Sequence, residues 1–311
     1  MRPTCRVLAF AALAALSTAA TPARAYFEDV AVGARGIALG PSAVGVIEDA
    51  SAYYWNPAAL GSLRRNEVMV DYAKPYGVPD LNDSELGGAA RWRGVGWAFA
   101  WHRLAIGSSY SEDQFCAAAG KRWLLRGGNS LAAGLTYKFE RVSVPTYFDP
   151  DLGGDISFEQ AKGSVDAGLR WRSPWNVDLS WVSRDLVQPR FQLVPGSGGQ
   201  VQAARSEFSA AFRWNPESTI LAGWSQYAGG GSSLNAGMEI LFYDVFAIRS
   251  GLVNLNRVYQ AYGSPANLQY TGGFGVFHHG YYVDTAVTTD HDLGASYRLS
   301  VRLPFGAARR P

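Results

Sequence analysis

Between residues 67 and 305 the sequence alternates apolar and polar positions in short runs, and the joints between runs are by turns short and long. The clearest run is 131–142. Leu131, Ala133, Leu135, Tyr137 and Phe139 fall on its odd positions, and Gly134, Thr136, Lys138 and Glu140 on its even ones. A strand points successive side chains to opposite faces, so a period of two predicts strands with one apolar and one polar face. Fourteen strands are predicted, at 67–72, 86–92, 96–103, 113–123, 131–144, 161–171, 176–182, 206–214, 218–227, 233–242, 245–252, 267–277, 281–288 and 293–303. The joints 93–94, 124–129, 172–175, 215–217, 243–244 and 278–280 are tight and carry the Gly, Asn, Asp or Pro that turns need. Those at 73–85, 104–112, 145–160, 183–205 and 254–266 are long, with shorter members of the same set at 228–231 and 289–292. Loop length sorted by parity predicts an all-β chain forming a transmembrane antiparallel β-barrel, with tight periplasmic turns and outer loops free to grow.

The same parity assigns faces. Trp97/Phe99/Trp101, Phe208/Ala210/Phe212/Trp214 and Tyr297/Leu299/Val301/Leu303 are predicted to face lipid, with Leu135 and Tyr137. The opposite faces carry Arg91, Lys138, Glu140, Asp166, Arg170, Glu207, Arg213, Glu239, Asp284, Arg298 and Arg302. A basic residue on the lipid face costs about 2–4 kcal/mol at mid-bilayer, so these charges belong in the lumen. Six basic and five acidic groups nearly balance, which argues against a strongly ion-selective ring.

Composition narrows the class. After the N-terminus no run of about twenty apolar residues could form a spanning helix. The 41 aromatics (10 Trp, 16 Tyr, 15 Phe) suit a barrel with aromatic girdles. A net charge of +2, dispersed along the chain, points away from nucleic acid. Arg2 and Arg6, the apolar run 7–20 and Ala23-Arg24-Ala25 have the layout of a secretory signal peptide at 1–25, so the mature chain is expected to begin at Tyr26. Cys5 falls inside that signal, leaving Cys116 as the one mature cysteine and no internal disulfide.

Residues 26–65 precede the first strand and do not alternate. They contain Gly33-Ala34-Arg35-Gly36-Ile37-Ala38-Leu39-Gly40 and then, after Glu48-Asp49-Ala50-Ser51-Ala52, the phrase Tyr53-Tyr54-Trp55-Asn56-Pro57-Ala58-Ala59-Leu60. This stretch resembles the N-terminal region of the PorV/PorQ-like outer-membrane proteins and, more distantly, of the FadL-like (long-chain fatty acid transporter) barrels. The resemblance implies a fourteen-stranded barrel over 66–305 with 26–65 folded inside as a hatch, whose motif residues here are Gly33, Arg35, Gly40, Asn56, Pro57 and Ala58. Pro41 and Ala59 depart from the family pattern, where glycine is usual. Independently, a barrel this wide cannot be filled by wall side chains alone, so it is either open or plugged. Asn56-Pro57 is expected to end a short helix, because the residue before proline is pushed out of the α region. Asp292-Leu293-Gly294-Ala295-Ser296-Tyr297-Arg298-Leu299 resembles the signal read by the barrel assembly machinery, and 306–311 is left as a short periplasmic tail.

No nucleophile elbow, phosphate loop or zinc-protease element occurs, so no catalytic residue, cofactor or metal site is expected. His278-His279 and Asp290-His291-Asp292 fall at opposite ends of one strand, too far apart to share an ion. His102 is expected near the outer end of its strand. Two functions follow. One is a plugged channel for uptake or export of small hydrophobic molecules. The other is a non-transporting scaffold or shuttle that binds secreted proteins. The expected partners are outer-membrane lipids, the assembly machinery, and either such a molecule or such a protein.

Overall fold

A computed structural model describes residues 27, 31–149, 154–192, 200–228, 231–255, 268–290 and 294–306. The signal-peptide reading of 1–25, His291 and the tail beyond Gly306 lie outside the described residues. Among those described, fourteen strands close into one antiparallel barrel. They are β1 (Asn66–Lys74), β2 (Leu81–Trp92), β3 (Val95–Ile106), β4 (Tyr110–Leu124), β5 (Ser130–Asp149), β6 (Gly154–Arg172), β7 (Val177–Arg184), β10 (Arg205–Arg213), β11 (Ser218–Tyr227), β12 (Ser232–Phe242), β13 (Phe246–Val253), β14 (Gln269–His278), β15 (Tyr281–Asp290) and β16 (Gly294–Phe305). Two short strands, β8 (Arg190–Phe191) and β9 (Gln200–Val201), pair only with each other. Each barrel strand pairs with its neighbour in sequence, and β1 closes on β16 with Val70 opposite Val301.

Tight turns make one end of the barrel. Arg93-Gly94, Tyr243-Asp244 and His279-Gly280 all have positive φ at both central residues, the twist that suits two-residue hairpins. Trp92, Trp123, Trp175, Trp214 and Tyr243 stand exposed beside these turns, as a membrane-interface girdle requires. Along the wall the alternation is sharp. Leu135, Tyr137, Phe99, Phe212 and Leu299 are exposed on the outside, whereas Lys138, Glu140 and Arg298 are buried on the inside.

The structure differs from the sequence expectation at the other end. β2 begins five residues before 86, and β5 and β6 run on to Asp149 and back from Gly154, so the presumed loop 145–160 is mostly a hairpin. The 183–205 joint holds β8 and β9. Beyond the lipid no face needs to be apolar, so pairing continues where alternation stops. Phe27 also lies at this end, its backbone N–H donating to Glu112 (2.9 Å) and its ring tilted against Phe191 (5.6 Å).

Candidate functional site

Residues 31–63 contact strands all round the barrel, and nearly all are buried. Their turns follow from the sequence. Gly33 takes φ 75° ahead of the short helix Ala34–Ala38, and Gly40 takes φ 64° as the chain enters the 3₁₀ turn Gly40–Gly45. The helix Ala52–Trp55 ends at Asn56, whose extended backbone is what Pro57 imposes. Asn56 Oδ1 then accepts the Ala58 N–H (3.0 Å) and caps the 3₁₀ turn Pro57–Ser62. Its amide reaches the wall, donating to the Leu169 carbonyl (3.3 Å).

The wall is shaped to receive this turn. Gly96 of β3, Gly120 of β4, Gly134 of β5 and Gly168 of β6 lie directly opposite one another in register, forming a ladder across four strands. A Cβ on Gly96 would stand 2.0 Å from the Leu60 carbonyl oxygen, and one on Gly120 2.1 Å from that of Pro57. On Gly134 it would stand 2.3 Å from the Pro57 carbonyl carbon, and on Gly168 2.2 Å from Asn56 Oδ1. Across the barrel Gly237 faces Gly251, where a Cβ would meet the Leu39 carbonyl oxygen at 2.8 and 3.0 Å. The segment therefore rests on two patches from which side chains are missing.

Charges complete the seat. Arg35 donates two bonds to Glu239 (2.9 Å each), Glu239 accepts from Arg249 (2.7 Å), and Arg249 donates to Asp284 (2.7 Å). Asp284 pairs with Arg302 (2.9 Å), Arg302 with Asp49 (3.2 Å), and Asp49 with Arg35 again (3.5 Å). This is a closed ring of alternating sign, with two members from the N-terminal segment and four from β12, β13, β15 and β16. A second cluster joins Glu48 to Arg170 (2.8 Å) and to Arg172, with Asp178 accepting from Arg170 (2.5 Å) and Arg213 (2.6 Å). Arg184 pairs with Glu207 (2.8 Å), lies over the Tyr54 ring (4.1 Å) and donates to the Tyr54 carbonyl.

Two further groups sit nearer the long-loop end. Arg298 bridges Asp71 and Asp83, while Asp71 also accepts the Gly33 N–H (3.2 Å) and Glu85 accepts the Tyr53 hydroxyl (2.8 Å). His102 contacts Asp83 through Nε2 (2.5 Å) and is buried in the lumen. Lys138 pairs with Asp166 (2.9 Å) and Asp185, and Glu140 accepts from Gln114 (2.9 Å). The structure thus ties Arg35 to Glu239, gathers Arg170 and Arg213 on Asp178, and joins Lys138 to Asp166. Sequence reasoning missed Asp71, Asp83, Glu85, Asp178, Arg184 and Arg249. Parity could have found Asp71, Asp178 and Arg249, since Asp178 alternates with Leu179 and Arg249 with Ile248, whereas Asp83, Glu85 and Arg184 lie beyond the predicted apolar runs.

The two carboxylates of the segment set a pH limit. Burial alone would raise them, but Arg170 and Arg172 beside Glu48, and Arg302 and Arg35 beside Asp49, outweigh it and hold both below the usual carboxylate range. A carboxylate depressed in the folded state stabilises it above the unfolded value, about pH 4, and that gain is lost as pH falls through the depressed value. Hydrogen exchange of residues 31–63, corrected for intrinsic rate, should stay slow from about pH 7 to pH 5 and quicken only below about pH 4. Loosening between pH 7 and 5 would contradict this seat.

No protein-family model and no curated protein sequence matches the chain. Solved structures do. A Pseudomonas aeruginosa FadL homologue superposes with a TM-score of 0.56 at 12% identity, over 87% of this chain and 98% of that one. The likeness is one of fold. The CymD monoaromatic hydrocarbon channel gives 0.57 at 10% identity over 88% and 100%. The deltaS2 mutant of the TodX monoaromatic hydrocarbon channel gives 0.55 at 11% over 89% and 98%.

Proposed function

We propose that this protein is an outer-membrane channel for small hydrophobic molecules, exported by residues 1–25, inserted through its C-terminal strand, and closed by residues 26–65 acting as a hatch. The exposed apolar outer wall with its aromatic girdle supports the membrane location. The fold shared with hydrocarbon channels supports transport and the substrate class. One observation carries the gating: the ring Arg35–Glu239–Arg249–Asp284–Arg302–Asp49 is shared between segment and wall. Apolar packing of the segment against wall residues such as Met69, Ala98, Ala118 and Leu221 supplies most of the hold, whereas ion pairs buried this way add little net stability over their hydrated state. Water entering from the loop end can replace each ion-pair contact, so the charged part of the seat is one the segment can leave.

Uptake tests the reading. Cells carrying the protein in a lipopolysaccharide outer membrane should take up a labelled alkylbenzene severalfold faster than cells without it. Equal rates, with the protein present at normal levels, would contradict transport and favour the scaffold that the PorV/PorQ-like phrase also allows.

A further inference from the structure

The glycine ladder has an outer counterpart. Immediately outside it, β4 to β7 carry small residues, and a cavity of about 780 Å³ opens on the wall's outer surface along Ala119, Ala133 and Ala167. Its floor includes the backbone of Gly120, Gly134 and Gly168, so the wall is thinnest here, with no side chain inward and a single methyl outward. Register gives its course. Lys121 lies opposite Ala133, Ala133 opposite Leu169, and Leu169 opposite Trp181, three strand spacings or about 14 Å. Lys121, Ala133, Leu169 and Trp181 lie three or four residues from the tight-turn ends of β4, β5, β6 and β7, so this row runs around the wall, and the lining rises from it through Ala119 and Ala167 to Ser183. The groove therefore climbs from the interface into the bilayer.

Its lower end is cationic. Lys121 projects outward and exposed, near the Trp123 ring (5.8 Å), and Arg93 and Arg126 stand exposed on the adjoining turns. None of the three is in an ion pair among the described residues. A lysine on a lipid-facing wall is tolerated where it reaches the headgroups, and basic side chains at that level draw anionic lipid.

We propose that this groove binds one anionic phospholipid of the periplasmic leaflet, its phosphate on Lys121 and one acyl chain along the alanine row. The assignment rests on the membrane location proposed above, and not on transport. The occupant is fixed by three features together: the wall faces the bilayer, the groove is apolar from Ala119 to Leu169 and turns polar only at its far end with Ser183, Gln188 and Ser206, and its one exposed cation sits at headgroup depth.

Native mass spectrometry of the delipidated barrel, titrated with phosphatidylglycerol or phosphatidylcholine of the same acyl chains, tests it. One phosphatidylglycerol should be retained in preference to phosphatidylcholine. Lys121→Gln should reduce that preference about fivefold. Ala133→Phe with Ala167→Phe, which fills the groove from the lipid side, should abolish the bound lipid. Equal retention of both lipids, or retention unchanged by the filled groove, would overturn the site. Flotation with phosphatidylglycerol vesicles keeps the two readings apart. A barrel that floats without a selective adduct refutes the site alone, and one that fails to float refutes the membrane location and the site with it.

Discussion

Glu239→Ala should cost about 3–5 kcal/mol of seating free energy, because it removes the buried carboxylate that two guanidinium groups share. Glu239 accepts from Arg35 at 2.9 Å and from Arg249 at 2.7 Å, and both it and Arg249 are buried. Arg249 keeps Asp284, but Arg35 keeps only the longer contact to Asp49. The wall should survive, since β12 retains its backbone pairing with β11 and β13. The expected signature is therefore uneven: hydrogen exchange speeds up over residues 31–63 while the strand amides stay protected. Uniform loss across strands and segment would show that Glu239 supports the barrel and not the seat.

Gly134→Leu acts on the opposite side of the segment and by a different force. Its Cβ would fall 2.3 Å from the Pro57 carbonyl carbon and 2.6 Å from the Ala58 nitrogen, both backbone atoms that cannot rotate aside. Overpacking a filled core costs about 1–3 kcal/mol, and contacts this short with backbone place the change at or above that range. The barrel has an easier response than opening its sheet: the Pro57–Ser62 turn leaves the ladder and the lumen opens. Gly134→Leu should thus raise conductance while β4, β5 and β6 remain paired. Gly154→Leu, where nothing lies within 4 Å of a Cβ, serves as the control.

The strands were legible because lipid enforces alternation. β11 spans Ser218–Tyr227, the range its parity predicts, and β12 differs by one residue. Legibility fails where that force ends. Asp83 and Glu85 belong to a part of β2 that lies beyond the run of apolar positions, so alternation alone puts them in a loop. The ladder was invisible for another reason: Gly96, Gly120, Gly134 and Gly168 become neighbours only once four strands are in register. His102 shows the limit of position without partners. Its place on the strand was readable, but its contact with Asp83 depends on the neighbouring strand. The segment's turns, by contrast, were written locally in Asn56-Pro57 and Gly33.

Planar-bilayer conductance measures the central claim, that residues 26–65 close the lumen, most directly. The intact protein should show little or no steady current, and Gly134→Leu should show a large open conductance in a barrel that still resists unfolding. A large conductance from the intact protein, or none from a Gly134→Leu barrel whose segment has left its seat, would contradict it.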